Sequence, residues 1–292
     1  MIKKIIKRLL YLAVLLLAVS LLTYLMTPGN PGKIIDITSS HRAVFVSRYT
    51  SWLCGIFISD NANFGSEVFN NSQRVTLISF NKLVFGTISL AVASLICVII
   101  ISLPLGMLSA VKKDSVLDYV TRVIAFIFAS IPNYSLAIIL IFVFAVRLKW
   151  FPVLSDKEAR GIVLPLCSLS IPLTSRFIRY IRAAALDELG KDYVTGAIAR
   201  GVRKWRVMVF HVLPCIAPSI LSYIHSSIGF LLGTVIIIEN IHSWKGIGSL
   251  VVNAINTRNY IVLQAYIMWM AVLYVSVIIL IDIIMHFMGY KL

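Results

Sequence analysis

The residues able to do chemistry are few and dispersed. His41, His211, His225, His242 and His286 do not cluster, and Cys54, Cys97, Cys167 and Cys215 contain no C-x-x-C pair. Neither a zinc site nor a disulfide framework is indicated, and no metal ligand is assigned. Small buried apolar residues is the simpler role for the cysteines, while a metal contact between His225 and His242 stays open as the alternative. The chain has no G-x-x-x-x-G-K-[ST] to cradle ATP phosphates, no H-E-x-x-H and no G-x-S-x-G elbow. It is expected not to be an enzyme and to bind no cofactor of its own. Asp282 lies deep in an apolar stretch, which makes it a functional candidate, although its nearness to the cytoplasmic end favours pairing with an arginine.

The densest constellation runs from Asp192 to Pro214, DYVTGAIARGVRKWRVMVFHVLP. Ala197 and Ala199 precede Gly201, a cationic cluster of Arg200, Arg203, Lys204 and Arg206 surrounds it, and Leu213-Pro214 closes the stretch. The pattern predicts two short helices joined at a glycine corner. Such a plug is small enough to sit in another protein's groove.

The elements that carry this stretch are set by composition. Of 292 residues, 59% are hydrophobic and 13% charged, with a mean hydropathy of +0.92. That excludes an ordinary soluble domain, whose apolar share is about 45–50%. The net charge of +15 is better explained by membrane topology than by nucleic acid, because the cations flank apolar spans.

Spanning the hydrocarbon takes about 20 apolar residues in a helix, and six stretches qualify: 9–27, 83–111, 120–146, 162–185, 213–238 and 263–288. The expected fold is an all-α integral membrane protein with six transmembrane helices, both termini in the cytoplasm and cytoplasmic coupling helices between spans four and five. Lys3, Lys4, Lys7 and Arg8 before the first span imitate a signal peptide, but the run is long and lacks a cleavage site, so an uncleaved helix is expected. The basic residues support the orientation, with Lys112, Lys113, Arg122, Arg176, Arg179, Arg182 and the 200–206 cluster all assigned inside.

Three regions follow from this reading: 1–32, the first helix and its exit turn; 33–82, an extracytoplasmic segment; and 83–292, a five-helix core. The outer segment carries a short amphipathic helix marked by Tyr49, Trp52, Leu53 and Ile56. The core includes a coupling loop at 186–212 and a re-entrant outer segment at 240–262, where Trp244, Gly246 and Gly248 precede an apolar run too short to cross.

A translocation path is expected where polar or small residues interrupt the spans. Pro132 and Asn133 fall in mid-span three, and a structural kink competes there with a pore-lining role. Ser226, Gly229 and Gly233 give span five a narrow polar face, which Glu239 closes. Because the cores of spans two, three and five hold no ionisable side chain but histidine, energy must come from elsewhere, or the protein is a passive pore.

With Gly201 set on a consensus glycine, Asp192–Pro214 resembles the coupling loop of ABC-importer permeases: Glu-Ala-Ala, three residues, Gly, nine residues, Ile, one residue, Leu-Pro. Thr195, Gly196 and Ala197 take the Glu-Ala-Ala positions, His211 the isoleucine, and Leu213 and Pro214 the Leu-Pro. The absent glutamate and the Asp192-Tyr193-Val194 start are similar to the dipeptide, oligopeptide and nickel branch. Phe64-Gly65-Ser66, Leu103-Pro104-Leu105-Gly106, Ile131-Pro132-Asn133-Tyr134, Trp150-Phe151-Pro152 and Ile238-Glu239-Asn240 follow in compatible order.

The resemblance implies the permease subunit of an ATP-driven importer, joined by a second homologous permease, two cytoplasmic ATPase subunits and an extracytoplasmic substrate-binding protein. ATP and magnesium would be bound in those partners, within a bacterial cytoplasmic membrane. Asp192, Tyr193, Thr195, Gly196, Ala197, Ala199, Gly201, Leu213 and Pro214 would form the ATPase-coupling set, with the helix from Asp192 to Gly201 docking on an ATPase. The ligand would be peptides or nickel and other metal chelates, with the Ile-Pro-Asn and Ile-Glu-Asn strings tilting toward the metal. Two departures, a short outer segment after Pro31 and Lys245 in place of a proline, bear on binding-protein docking and on the re-entrant turn. A stand-alone channel or ion-coupled secondary carrier is the competing reading, and a scaffold that recruits a soluble partner is more remote.

Overall fold

A computed structural model describes residues 2–25, 49–50, 77–154, 159–258 and 260–287. Every regular element among them is helical. Of the expected outer amphipathic helix only Tyr49 is described; Trp52, Leu53, Ile56, the Phe64-Gly65-Ser66 turn and the Pro28–Gly32 exit turn lie outside these residues.

Helix α1 spans Ile2–Leu25, α2 Leu77–Val111 and α3 Val116–Ser130. Helix α4, Asn133–Leu140, continues into a π-helical stretch at Ile141–Arg147. A 3-10 turn at Ala159–Ile162 leads into α5, Val163–Leu189. Then come α6 (Asp192–Ala199), α7 (Lys204–Val207), a π turn (Met208–Val212) and α8 (Leu213–Ile241). Helices α9 (Ile247–Asn256) and α10 (Tyr260–Phe287) complete the described chain. An all-helical build is what hydrocarbon demands of an unclosed fold, since each helix satisfies its own backbone polar groups.

Four stretches are long and apolar enough to cross a bilayer: Leu83–Val111, Arg160–Leu189, Lys204–Ile241 and Val262–His286. A fifth exists if α3 and α4 count as one bent span, while the apolar run Ala13–Leu25 of α1 is shorter. The α3–α4 pair corrects the reading of 120–146 as one kinked helix, because the two meet at 99°. Proline sterics push the preceding residue out of the helical region, and Ile131 is accordingly extended at φ −81, ψ 126. Pro132 then caps α4 without an N–H to offer. The break itself is thus local chemistry.

The described residues fall into two compact units. The first draws on Met1–Phe85 and Ser249–Val277. In it Ser20 of α1 hydrogen-bonds the Tyr49 hydroxyl, the Tyr24 and Tyr49 rings meet edge to face at 5.6 Å, and Val262, Ala265 and Met268 of α10 are buried.

The second unit, Gly86–Gly248 with Ile278–Leu292, is built around α5, which packs against α3, α4 and α8. Phe177 and Ile181 of α5 are fully buried. Helix α2 runs through Pro104 without ending, and Gly106 lets it come close to α5. A Cβ there would stand 2.8 Å from Ile181 Cγ2.

One carboxylate clamps this unit. Asp118, in the first turn of α3, is completely buried. It accepts two hydrogen bonds from Arg182 of α5, Nε to Oδ1 at 2.6 Å and an NH2 group to Oδ2 at 2.7 Å. Ser109 of α2 and the Asp114 N–H also donate to it, and Arg122 lies 3.6 Å away. The Ser115 hydroxyl accepts from the Asp118 N–H at 3.3 Å, closing the N-terminus of α3 as a capping residue should. The two-pronged geometry satisfies both carboxylate oxygens at once.

Asp118→Asn leaves the Arg182 guanidinium without its counter-charge, Arg182→Met leaves the buried carboxylate without its two-pronged partner, and each is expected to lower stability by about 3–5 kcal/mol. The double variant, with neither charge left, is expected to be less destabilised than either single change. Thermal unfolding of the detergent-solubilised protein checks both.

Candidate coupling and translocation site

Helix α6 is short, yet it is held at both ends. At its start Glu188, the penultimate residue of α5, accepts from Lys191 Nζ at 2.7 Å and from the Tyr193 hydroxyl at 2.9 Å. Loss of water around its hydroxyl, then the Glu188 carboxylate, push the Tyr193 phenol above its usual range, so it stays a donor. Glu188 likewise raises the Lys191 ammonium. At its end Gly201 takes φ +83, Val202 N–H bonds to the Ala197 carbonyl at 3.2 Å, and Gly201 N–H to Ile198 at 2.9 Å. This is a left-handed glycine cap, which a Cβ would disfavour.

Val194 and Ala197 are turned inward, Ala197 only 2% exposed. Ala197 therefore holds α6 to its own chain and is not free to dock a partner, which corrects its expected role. Asp192, Tyr193, Thr195, Ala199 and Gly201 face solvent, with Gly196 half-buried and open space where its Cβ would be. Ile198, exposed on the same helix, was not singled out in the sequence.

The second half of the predicted plug is not a separate helix. Lys204–Ile241 is one helical stretch of 38 residues, so the basic turn with Lys204 and Arg206 is the start of the fifth predicted span. Leu213 is half-buried and Pro214 exposed. Pro214 would break a regular helix; the π turn at Met208–Val212 widens the backbone just ahead of its ring and lets the helix pass.

Along α8, Ser222, Ser226, Gly229, Phe230 and Gly233 form an open face. The Ser226 hydroxyl bonds the Tyr223 carbonyl at 3.0 Å, and a Cβ at Gly233 would meet nothing within 4 Å. Helix α4 packs against both α5 and α8; its Asn133 is buried, whereas Pro132 is exposed. Ser226, Gly229 and Gly233 thus share a surface that Asn133 does not join.

Glu239 is off that face too. It is fully buried, and its Oε2 accepts from the Gly248 N–H at 2.7 Å. The Trp244 N–H bonds the Glu239 carbonyl at 2.8 Å, Trp244 Nε1 donates to the Gly86 carbonyl at 3.1 Å, and the Ile247 N–H donates to Thr87 Oγ1 at 2.9 Å. Glycines make room for this. A Cβ on Gly246 would lie 2.1 Å from Glu239 Oε1, and one on Gly86 2.0 Å from the Lys245 carbonyl. Glu239 is therefore a latch that ties the loop before α9 to α8, where a path-lining role was expected.

His242 is buried beside this loop, its Nδ1 at 3.0 Å from the Ile238 carbonyl and Nε2 at 3.5 Å from Ser168 Oγ. Among the described residues no three His, Cys, Asp or Glu side chains gather in a metal-holding group. Cys97 and Cys167 are half-buried and Cys215 is exposed, so these three are not uniformly buried as expected, while Cys54 lies outside the described residues.

Arg176, Arg179 and Arg182 do not act together. Only Arg182 is given to a carboxylate, and that carboxylate is Asp118, which the sequence reading passed over by starting the third span at residue 120. Its signal was present: Ser115-x-x-Asp118 is a helix-start signature. Asp282, the expected partner of an arginine, is buried in α10.

A bundle of apolar helices with one short helix and a basic turn at its margin, and an open face of small residues along α8, defines a membrane permease. Residues 102–291 match the family described as binding-protein-dependent transport system inner membrane component, and the chain belongs to that family. A protein of Brucella suis biovar 1 named as a peptide permease is 31% identical over 278 residues, covering 86% of each chain. The glutathione transport system permease protein GsiC of Escherichia coli K12 is 27% identical over 297 residues, covering 97% of this chain and 96% of its own. A chain of the MetNI methionine ABC transporter, solved in inward-facing conformations, superposes with a TM-score of 0.54 at 20% identity, covering 70% of this chain and 92% of that one. That likeness is one of fold.

Gly246→Ala places a methyl group inside the Glu239 carboxylate and is expected to lower the yield of folded protein several-fold. Combining it with Glu239→Ala is expected to restore part of the loss by vacating the space. Monodisperse yield by size-exclusion chromatography is the measurement.

Proposed function

We propose that this chain is one of two permease subunits in an ATP-driven importer, and that its ligands are peptides. The observation that carries the reading is one of continuity: the helical stretch that begins in the basic turn beside α6 is the same stretch that presents Ser226, Gly229 and Gly233. A force that passes from α6 through the Gly201 corner to Lys204 therefore reaches the open face without crossing a further loop. The relatives named for peptide and glutathione transport support peptides over nickel or other metal chelates. A second permease would stand across the pathway from the open face of α8, each subunit having six spans and both termini in the cytoplasm of a bacterial cell. Two ATPase subunits would receive α6, and a binding protein on the far side would supply the ligand.

In this scheme the residues of the hairpin divide by role. Tyr193, Thr195, Gly196, Ile198 and Ala199 meet the ATPase, while Val194 and Ala197 anchor α6 to the permease and Gly201 sets the corner. ATP hydrolysis in the partners rocks α6, and α8 follows. The subunit itself contributes no catalytic group.

The test is reconstitution with the second permease, the ATPases and the binding protein in liposomes, measuring ATP-dependent peptide uptake. Uptake that persists without any ATPase would instead establish the channel or carrier reading. Within that assembly, Gly201→Val forces a β-branched residue into a left-handed backbone and is expected to cut co-purification of the ATPase at least fivefold while membrane insertion is retained. Gly233→Trp fills the open face and is expected to slow uptake about tenfold with assembly intact.

A further inference from the structure

Arg176 sits thirteen residues from each end of the 27-residue α5, about 20 Å from either terminus at 1.5 Å per residue. Six residues on, Arg182 is neutralised by Asp118 at the level of the α2–α3 turn. Arg176 therefore lies about 9 Å further into the span. Among the described residues no carboxylate lies within ion-pair distance of it. Its guanidinium instead stands over the Phe230 ring, 4.5 Å from the centroid.

A charged side chain at such depth faces a bundle interior or a water-filled cavity, since hydrocarbon would not solvate it. Its surroundings agree. Phe230 is 43% exposed and belongs to the open face of α8 with Ser226, Gly229 and Gly233. One turn further along α5, Tyr180 stacks on Tyr223 at 4.1 Å, nearly parallel, and donates its hydroxyl to the Ser219 carbonyl at 3.0 Å. Arg176 is thus a cation beside the aromatic contacts that join α5 to α8. A guanidinium held over a ring by its positive charge makes no hydrogen bond there, so its forked N–H groups stay available, and they match a carboxylate with two parallel hydrogen bonds.

We infer that Arg176, backed by Phe230, is a ligand contact on the translocation face that receives a carboxylate of the transported molecule. For a peptide this is the free C-terminal or an acidic side-chain carboxylate. The inference rests on the importer reading above and adds a selectivity element within the permease itself. A carboxylate of the second permease could occupy the same edges, and the experiment separates the two.

The full assembly is reconstituted in liposomes of zwitterionic lipid, so that no anionic headgroup competes. ATP-dependent uptake of tri-alanine and of tri-alanine amide is measured for wild type, Arg176→Met and Arg176→Lys. The expected result is a loss of about tenfold or more in tri-alanine uptake with Arg176→Met and recovery of most of it with Arg176→Lys. Amide uptake is expected to change less than twofold. Tri-alanine uptake equal to wild type in Arg176→Met, or an equal fall for acid and amide, overturns the inference and leaves the importer reading standing. Loss of the second permease from Arg176→Met preparations also overturns it, by assigning the cation to the subunit interface. Absence of ATP-dependent uptake of either peptide by the wild type overturns the importer reading and this inference with it.

Discussion

A carboxylate buried without water must be neutralised where it lies, and the second unit is arranged around how Asp118 meets that demand. Its oxygens take donors from α2, from the turn before α3 and from α5, so three segments are fixed by one group. Removing either partner is costly because the other is left desolvated. Since α5 ends two residues after Asp187, at the Glu188-to-Tyr193 tie, the clamp also fixes the base on which α6 stands. The position of α6 is thereby inherited from an ion pair about two helical turns away from it.

The Glu239 latch solves the opposite problem. There a single carboxylate is approached by backbone, not by a cation, and the approach is made possible by absent side chains at Gly86, Gly246 and Gly248. Glycine around this loop is a matter of volume, whereas Gly201 is a matter of dihedral angle: its Cβ would meet nothing, yet its φ is left-handed. The same residue type thus serves two unrelated constraints within one chain.

Much of this was legible in the sequence. Apolar length located the long helices, and Ala197 to Gly201 marked the end of α6, because a cap glycine and a change in polarity are local signals. What escaped were relations between distant residues. Asp118 was hidden by its distance of 64 residues from Arg182, and the inward turn of Ala197 depends on where α5 ends. The amplitude at Pro132 could not be read either: proline dictates that Ile131 leaves the helix, but packing of α3 and α4 against α5 decides how far the chain turns. Glu239 was noticed for its charge, and only the loop folded back on it reveals that the charge is a tie point.

The π turn at Met208–Val212 has a mechanical meaning as well as a steric one. By carrying the helix past Pro214 it makes a single strut of 38 residues, about 57 Å long at 1.5 Å per residue. A strut has no joint in which to dissipate motion. Tilting it by about ten degrees about its Lys204 end sweeps the Ile241 end through about 10 Å, roughly the width of a helix. A single widened turn of backbone therefore keeps Lys204 and Ile241 on one lever, in which a small rotation at one end becomes a helix-wide displacement at the other.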